Sequence, residues 1–272
     1  MAFALPPLRP LSSSASASAS AAPSSSSTSF NYRPAVILPG LGNNSSDYKK
    51  LEVTLKEHYG VPTVVAKVSR LDWLRNAAGL ADPNYWSGTL RPRPVLDWYL
   101  KRVDEAVQEA KELAQGGTLS LIGHSAGGWL ARVYMEEFGL SHISLLLTLG
   151  TPHLYIQGAR FFRNSSADVV SAAPNNNAHS ISEVATVNDV STLTSNATTF
   201  RVRFVGQGYK QVCGQADVWG DGVVPEVSAH LEGAFNISLD GVYHSPVGSD
   251  DALRPWYGSP AVVDKWIHHL LN

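Results

Sequence analysis

Short apolar runs alternate with amphipathic segments from Pro34 onward, and this alternation restricts the fold more than any other feature of the chain. The apolar runs are bounded by Gly, Pro or polar residues, as buried strands are, and they span residues 35–40, 62–68, 118–123 and 143–150. Between them, apolar side chains recur with helical spacing over 46–59, 95–115 and 126–138, and Ser46 or Asp47 is expected to cap the first helix. This order predicts the α/β class, with a mostly parallel central sheet and helices on both faces.

The segment between residues 151 and 199 breaks the alternation. It is rich in Asn, Ser and Ala, has no strong apolar period, and is too long for an ordinary connection. We interpret about 152–199 as an insertion that either caps a site or forms an unstructured excursion. The sheet is expected to resume over 200–206, and a helix over 262–271 is expected to close the chain.

The first 31 residues differ in composition from the rest. Ser and Ala dominate them, and neither Asp nor Glu occurs before Asp47. Such a segment cannot bury enough apolar surface to fold. A serine-rich, acid-free start is typical of organellar transit peptides, and its low arginine content favours the chloroplast over the mitochondrion, with a disordered cytosolic tail as the alternative. We therefore expect a disordered transit peptide over 1–31 and a folded domain over 32–272.

Composition narrows the partners and cofactors. A formal charge of -2 with 16% charged residues, scattered rather than clustered, argues against a nucleic-acid-binding surface. Cys213 is the single cysteine, which excludes an intrachain disulfide and a cysteine-based zinc site. No histidine–carboxylate cluster has metal-ligand spacing, and no stretch approaches the roughly 18 apolar residues of a membrane span. We expect a small or neutral partner, no metal and no cofactor.

The pentapeptide Gly-His-Ser-Ala-Gly at 123–127 is the strongest chemical signal. It has the G-x-S-x-G pattern, follows an apolar strand and opens a helix, which is the setting of a nucleophile elbow. Gly123 and Gly127 are expected to be required because strand and helix backbones approach closely in such a turn. Ser125 is the predicted nucleophile, held at the carboxyl edge of the sheet with a helix N-terminus behind it.

A serine nucleophile needs a base, and the base needs an orienting carboxylate. Asp217 and Asp221 are the acid candidates, and Asp221 is favoured because it lies in a Gly-Asp-Gly turn. His244 is the predicted base because it lies in a loop after the apolar run FNISL. The other downstream histidines are His230, only a few residues past the acid, and the pair in the terminal helix, His268 and His269.

Two backbone N–H groups should form the oxyanion hole. One is expected from Ala126, the residue after the nucleophile. The other is expected from the turn 39–42, where glycines allow the backbone to come close and the Leu41 N–H can point inward.

The motifs LPGLG, GHSAGG, TLGTPH and GDGVVP, followed by a histidine, occur in this order. Together they resemble the α/β-hydrolase superfamily, and within it the lipase-like branch that includes bacterial triacylglycerol lipases and glycosylphosphatidylinositol inositol-deacylase-like proteins. With its N-terminal segment, the chain resembles plant chloroplast members of that branch. The resemblance spans 34–271. It implies a triad and an oxyanion hole formed by Ser125, Asp221, His244, Leu41 and Ala126.

The chain departs from the family pattern at two places. Pro39 precedes Gly40 where the family often has His, which bears on the bracing of the oxyanion loop. Leu154 follows Thr-Pro-His where the family often has Gly, which bears on the rim of the cleft.

Other conspicuous residues are interpreted as structural. His124 is expected in sheet packing, His153 as a loop brace, and Arg132 in an ion pair or cap. Three of the tryptophans are expected in core or cap packing, with an acyl pocket as the alternative: Trp73, Trp86 and Trp129.

The residues thus predict a serine hydrolase that cleaves a small-molecule or lipid carboxylic ester through an acyl-enzyme, without a cofactor. The alternative enzymatic function is that of an acyltransferase with the same triad. The alternative without catalysis is a ligand-binding protein of the same fold. Peripheral contact with a membrane is compatible with a lipid substrate.

Overall fold

The computed structural model describes residues 32–87, 89–153, 179–186, 209 and 217–270. The predicted transit peptide, Cys213, Leu154 and the expected strand over 200–206 lie outside the described residues.

A single parallel sheet organises the described residues. Its strands are β1 (Ala35–Leu38), β2 (Thr63–Val65), β3 (Leu119–His124), β4 (Ile143–Leu149), β5 (His179–Thr186) and β6 (Phe235–Asp240). The strand order is β2-β1-β3-β4-β5-β6, and every neighbouring pair is parallel. The prediction of an α/β fold with a mostly parallel sheet is confirmed.

Of the α-helices in the described residues, four lie at or near predicted segments, whereas the short helices at Pro83–Ser87 and Glu226–Ala229 were not predicted. The α-helices are α1 (Lys49–Val53), α2 (Pro83–Ser87), α3 (Asp97–Ala114), α4 (Ala126–Phe138), α5 (Glu226–Ala229) and α6 (Pro260–Trp266). Short 3₁₀ helices span Ser45–Tyr48 and Ile267–Leu270, and a single turn of π-helix spans Thr54–His58. A longer 3₁₀ helix spans Arg70–Ala81. This helix lies between the predicted strand at 62–68 and the predicted helix at 95–115, where the sequence predicted no element.

The first helical segment is capped by Asn44, not by Ser46 or Asp47 as expected. The Asn44 side chain accepts from the Asp47 N–H at 3.1 Å, and the Asp47 carboxylate accepts from the Asn44 N–H at 2.9 Å. This reciprocal pair is a capping box, which places the cap three residues before its acidic partner.

Alternate residues of the central strands face opposite sides, so the sheet is covered on both faces. Ala35 and Ile37 of β1 pack in a cluster with Leu51 of α1 and Trp266 of α6. Val36 and Leu38 pack in a second cluster with residues of α3 and α4. Helices on both faces, predicted from the strand–helix order, are confirmed.

Part of the predicted insertion belongs to the sheet. Within 152–199, β5 pairs with β4 on one side and β6 on the other, so this stretch is neither a cap nor an excursion. The reason is that main-chain hydrogen bonds to two neighbours stabilise a central strand even where the side-chain pattern is irregular. Apart from Pro152 and His153, the rest of the insertion lies outside the described residues.

Candidate active site

Ser125 joins β3 to α4 in a strained turn. Its φ of 53° and ψ of -129° are unusual for a residue with a side chain, and strain of this kind concentrates at functional sites. A Cβ at Gly123 would lie 2.3 Å from Gly128 Cα, and one at Gly127 would lie 2.2 Å from Leu38 O. The prediction that both glycines are required is confirmed.

A third glycine of the elbow escaped the sequence analysis. A Cβ at Gly128 would lie 2.1 Å from the Thr151 hydroxyl oxygen. That hydroxyl donates to the Ser125 carbonyl at 2.8 Å, and the Ser125 N–H donates to Leu149 O at 2.9 Å. The end of β4 therefore holds the main chain of the nucleophile from both sides.

The structure brings Asp221 and His244 together. His244 Nδ1 lies 2.6 Å from Asp221 Oδ2, and the His244 N–H donates to Asp221 O at 3.0 Å. Both side chains are buried, whereas Asp217 is exposed at the surface. Of the two acid candidates, only Asp221 contacts a histidine within the described residues.

The Asp221 carboxylate is held by donors on both oxygens. Oδ1 accepts from the N–H groups of Val224 at 2.7 Å and Val223 at 3.0 Å, and Oδ2 accepts from the Tyr257 hydroxyl at 2.9 Å. Burial would raise the pKa of this carboxyl, but the His244 charge, the His244 hydrogen bond and the two N–H groups hold the pKa below its usual value. Asp221 is therefore ionised at neutral pH and aimed at His244.

His244 lies against the residue that precedes the nucleophile. The rings of His124 and His244 have centroids 4.9 Å apart, and His124 Nε2 lies 2.8 Å from the His244 carbonyl oxygen. Within the described residues, no hydrogen bond joins the Ser125 hydroxyl to the His244 ring. Catalytic hydrogen bonds are often long before substrate binds.

His124 is part of a buried hydrogen-bond chain. The Tyr48 hydroxyl accepts from the Gly40 N–H at 2.8 Å and the Asn43 side-chain amide at 3.0 Å, and it lies 2.7 Å from His124 Nδ1. With both acceptor positions of Tyr48 in use, its one proton points to Nδ1. His124 then carries its proton on Nε2 and donates to the His244 carbonyl.

This chain links the predicted oxyanion loop to the loop of the base. Gly40 lies beside the nucleophile, since a Cβ there would come within 2.8 Å of Ser125 Cβ. The Tyr99 hydroxyl donates to Pro39 O at 2.7 Å. Where the family pattern has His, the loop is thus braced by the hydroxyls of Tyr48 and Tyr99.

The predicted oxyanion donors have no competing acceptor in the described part of the chain. Neither the Leu41 N–H nor the Ala126 N–H donates a hydrogen bond to a described residue. Ala126 is the first residue of α4, where backbone N–H groups have no partner within the helix. No described acceptor would therefore compete with an anionic oxygen for either group.

Comparisons with known proteins extend the likeness beyond the motifs. The family described as PGAP1-like alpha/beta domain matches residues 94–211, which include Ser125 but neither Asp221 nor His244. The product of gene lin2722 from Listeria innocua has 13% identity and a TM-score of 0.50 over 89% of this chain and 96% of its own. Phospholipase PlaB from Legionella pneumophila, in complex with thio-NAD, has 13% identity and a TM-score of 0.51 over 87% of this chain and 57% of its own. No curated protein matches the sequence.

This chain has the α/β-hydrolase fold. At such low identity, likeness between structures reports the fold and not the reaction. The chemistry of this hydrolase-fold protein depends on the geometry of its own residues.

His153 braces the hydrolase fold behind the elbow, as the sequence indicated, and Arg132 bonds to its ring. Arg132 Nη1 lies 3.3 Å from His153 Nδ1, and His153 Nε2 lies 3.0 Å from the Thr148 hydroxyl. Because a guanidinium can only donate, His153 Nδ1 accepts and its proton lies on Nε2. The His153 N–H also donates to Ser228 O at 2.7 Å, which ties the end of β4 to α5.

The other histidine candidates contact different residues. His230 lies 3.7 Å from Glu226, and the His268 ring lies 3.8 Å from the His269 ring. Trp73 and Trp129 are buried as expected for core packing, but Trp86 is 76% exposed and belongs to no core.

No group of metal-binding side chains occurs among the described residues, and no described helix is long and apolar enough to cross a membrane.

Tyr48 was predicted only as an apolar position of the first helix, and Tyr257 had no predicted role. Neither lies in a motif, and each contributes through a hydroxyl that reaches a residue distant in sequence. The helical spacing of Tyr48 signalled its burial but not its hydrogen bonds.

We expect Tyr48→Phe to lower kcat for ester hydrolysis roughly 10- to 100-fold while KM changes little, because the brace between the oxyanion loop and His124 is lost. Steady-state kinetics on a soluble ester would measure this. Tyr59→Phe is the matched control, since the Tyr59 hydroxyl bonds to Asp264 instead. A Tyr48→Phe variant with unchanged kcat, or with a raised KM alone, would show that the brace does not position catalytic groups.

Acid should destabilise the fold through two buried histidines. Burial, with the nearby charge of His244, lowers the pKa of His124 to about 3, and burial, with the Arg132 charge, lowers the pKa of His153 to about 3. Each ring takes up a proton more readily in the unfolded chain than in the folded one. Its contribution to the free energy of unfolding is therefore complete above pH ~6.5. Below that pH the contribution declines by up to about 1.4 kcal/mol per pH unit until the pH reaches the pKa of the folded state.

Urea unfolding between pH 7 and pH 4 measures this decline. His153→Gln should show a shallower fall in the free energy of unfolding with acid, whereas His142→Gln, which leaves both buried rings in place, should retain the full slope. Equal slopes for the His153 variant and the native chain would contradict the assignment.

Proposed function

We propose that this protein is a serine hydrolase that cleaves a carboxylic ester of a lipid through an acyl-enzyme intermediate. The observation that carries the proposal is the buried Asp221–His244 pair, held at 2.6 Å, with the His244 ring 4.9 Å from the ring of His124, the residue before the strained Ser125. Among the described residues, Asp221 is the one buried carboxylate, and it orients a histidine whose ring packs against the residue before Ser125.

In the proposed reaction, His244 takes the proton of the Ser125 hydroxyl as its oxygen attacks the ester carbonyl. Asp221 stabilises the imidazolium and keeps Nδ1 protonated, so that Nε2 is the nitrogen that accepts the proton. The Leu41 and Ala126 N–H groups bind the oxyanion. His244 then protonates the leaving alcohol, and a water molecule activated by the same histidine releases the acid.

An apolar acyl group fits the surroundings of the proposed oxyanion hole. The Leu41 side chain is 63% exposed although it belongs to the loop that lies against the nucleophile. Burying such a side chain against an acyl chain is favourable, whereas a charged substrate would gain nothing from it. This supports a lipid ester over a small polar ester.

Covalent labelling with a fluorophosphonate tests the nucleophile. The reagent phosphonylates activated serines and loses fluoride, so intact mass should show one adduct and peptide mapping should place it on Ser125. Ser125→Ala should remain unlabelled, while Ser87→Ala, which removes an exposed serine, should label like the native chain. Labelling that persists in Ser125→Ala would reject the assignment.

Product analysis separates hydrolysis from acyl transfer. Incubation of the native chain with a plastid lipid extract, with and without an added acceptor alcohol, should release free fatty acid in both cases. A new ester that replaces the free acid would identify an acyltransferase, and no Ser125-dependent turnover would favour a binding protein.

A further inference from the structure

The 3₁₀ helix at Arg70–Ala81 is unusually long for its type. Since a 3₁₀ helix has three residues per turn, side chains three apart lie in line along its axis. Its twelve residues therefore form straight rows rather than the spiral stripe of an α-helix.

One row is fixed to the body of the protein, and we call it the inner row. Trp73 Nε1 donates to Asn43 O at 2.8 Å, Trp98 Nε1 donates to Asn76 Oδ1 at 2.9 Å, and a Cβ at Gly79 would lie 3.3 Å from a Leu90 methyl. The bond to Asn43 also attaches the helix to the loop that carries Leu41. The position of this helix is thus tied to the candidate active site.

A second row, which we call the outer row, points to solvent and is entirely apolar. It consists of Leu71, Leu74, Ala77 and Leu80. Leu71 is 75% exposed and Leu74 is 68% exposed. Trp86 extends the row, because its indole N–H donates to Leu80 O at 3.0 Å while its side chain stays exposed. Exposed apolar side chains grouped along one face of a helix are characteristic of interaction sites.

In two ion pairs beside the outer row, the cation is more exposed than the carboxylate. Arg70 is bonded to Asp47, and its side chain is 52% exposed against 11% for the carboxylate. Arg75 lies 3.5 Å from Asp72, with 59% exposure against 19%. A flat partner approaching this face would therefore meet leucine side chains and guanidinium groups before it met carboxylates.

We propose that the outer row docks on the surface of a lipid bilayer that contains anionic headgroups. Leucine side chains would enter the acyl boundary, the Trp86 ring would lie at the headgroup level, and Arg70 and Arg75 would face lipid phosphates. The docking proposal rests on the proposed function in one respect: docking would present a membrane-embedded ester to the oxyanion loop.

Co-sedimentation with vesicles tests the docking without any turnover. The proteins are the full chain and its Ser125→Ala form, with vesicles of phosphatidylcholine alone or with phosphatidylglycerol added. Both proteins should bind, and more tightly when phosphatidylglycerol is present. The double variant Leu71→Ser/Leu74→Ser should bind at least about tenfold more weakly, because two apolar side chains no longer leave water on docking. Arg75→Gln should retain binding to phosphatidylcholine but lose part of the preference for phosphatidylglycerol.

Leu113→Ser is the matched control. Leu113 is also an exposed leucine, but it lies near the carboxyl end of α3, at the edge of the sheet where β3 begins and thus opposite the active site. This variant should bind vesicles like the native chain. Thermal unfolding of each variant checks that the fold is retained.

Three results would overturn the docking proposal. They are no vesicle binding by the native chain, equal binding by the double variant, and a dimer in light scattering that the double variant converts to a monomer, since the outer row would then bind a second copy. Failure of the proposed function looks different: fluorophosphonate labelling would be absent from Ser125 whether or not vesicles bind.

Discussion

Asp221→Asn is expected to fold and to hydrolyse esters roughly three to four orders of magnitude more slowly than the native chain, on the precedent of triads that lose their carboxylate. Asp221 accepts from His244 at 2.6 Å and from two backbone N–H groups, so its negative charge is both buried and directed. An amide in its place can donate to Nδ1 and leave the proton on Nε2. His244 would then present the wrong nitrogen to Ser125.

Steady-state rates on a soluble ester, with single turnover of the acyl-enzyme, measure this loss. His244→Ala should show a loss of similar size. Asp217→Asn is the matched control, because Asp217 is exposed, and it should lose less than about tenfold. If the Asp217 variant were inactive while the Asp221 variant kept its turnover, the acid assignment would be wrong.

Gly123→Ala should have the largest effect on stability. The new methyl group would lie 2.3 Å from Gly128 Cα and 2.5 Å from Gly128 N, and these backbone atoms cannot rotate away. Either α4 or β3 must move, although β3 is a central strand bonded to β1 and β4. We expect a loss in the free energy of unfolding of about 3 kcal/mol, the upper part of the usual range for overpacking.

Urea unfolding measures this loss, and Gly60→Ala separates crowding from backbone strain. Gly60 has a φ of +70°, and a methyl group added there would have no atom within 4 Å, so alanine should cost only about 1–2 kcal/mol of left-handed strain. Equal losses for the two variants would show that the elbow tolerates the methyl group. The activity of Gly123→Ala should also fall, because any shift of α4 moves the Ala126 N–H.

The sequence by itself determined the features that arise from short-range physics. Continuous apolar runs marked β1 and β4, helical spacing predicted α4 with its observed bounds, and two glycines around Ser125 indicated a turn too tight for side chains. These features can be predicted from the sequence because each depends on residues that are close to one another along the chain.

Tertiary structure decided whatever depends on residues far apart in sequence. The choice of Asp221 over Asp217 rests on the contact of Asp221 with His244, 23 positions later. The bond between Tyr48 and His124 spans 76 positions, and no local pattern encodes the direction of a hydroxyl. β5 was hidden because its strand partners, not its own apolar period, stabilise it.

The 3₁₀ helix at Arg70–Ala81 is the clearest case in which contacts between residues distant in sequence decided the structure. Its apolar residues recur every three positions, which differs from the 3.6-residue period by which an amphipathic α-helix is recognised in a sequence. Only the contacts of Trp73, Asn76 and Gly79 with the body of the protein fix the rotation of the helix and turn the outer row toward solvent. Local sequence determined which segments could form; long-range contacts determined which surfaces they present.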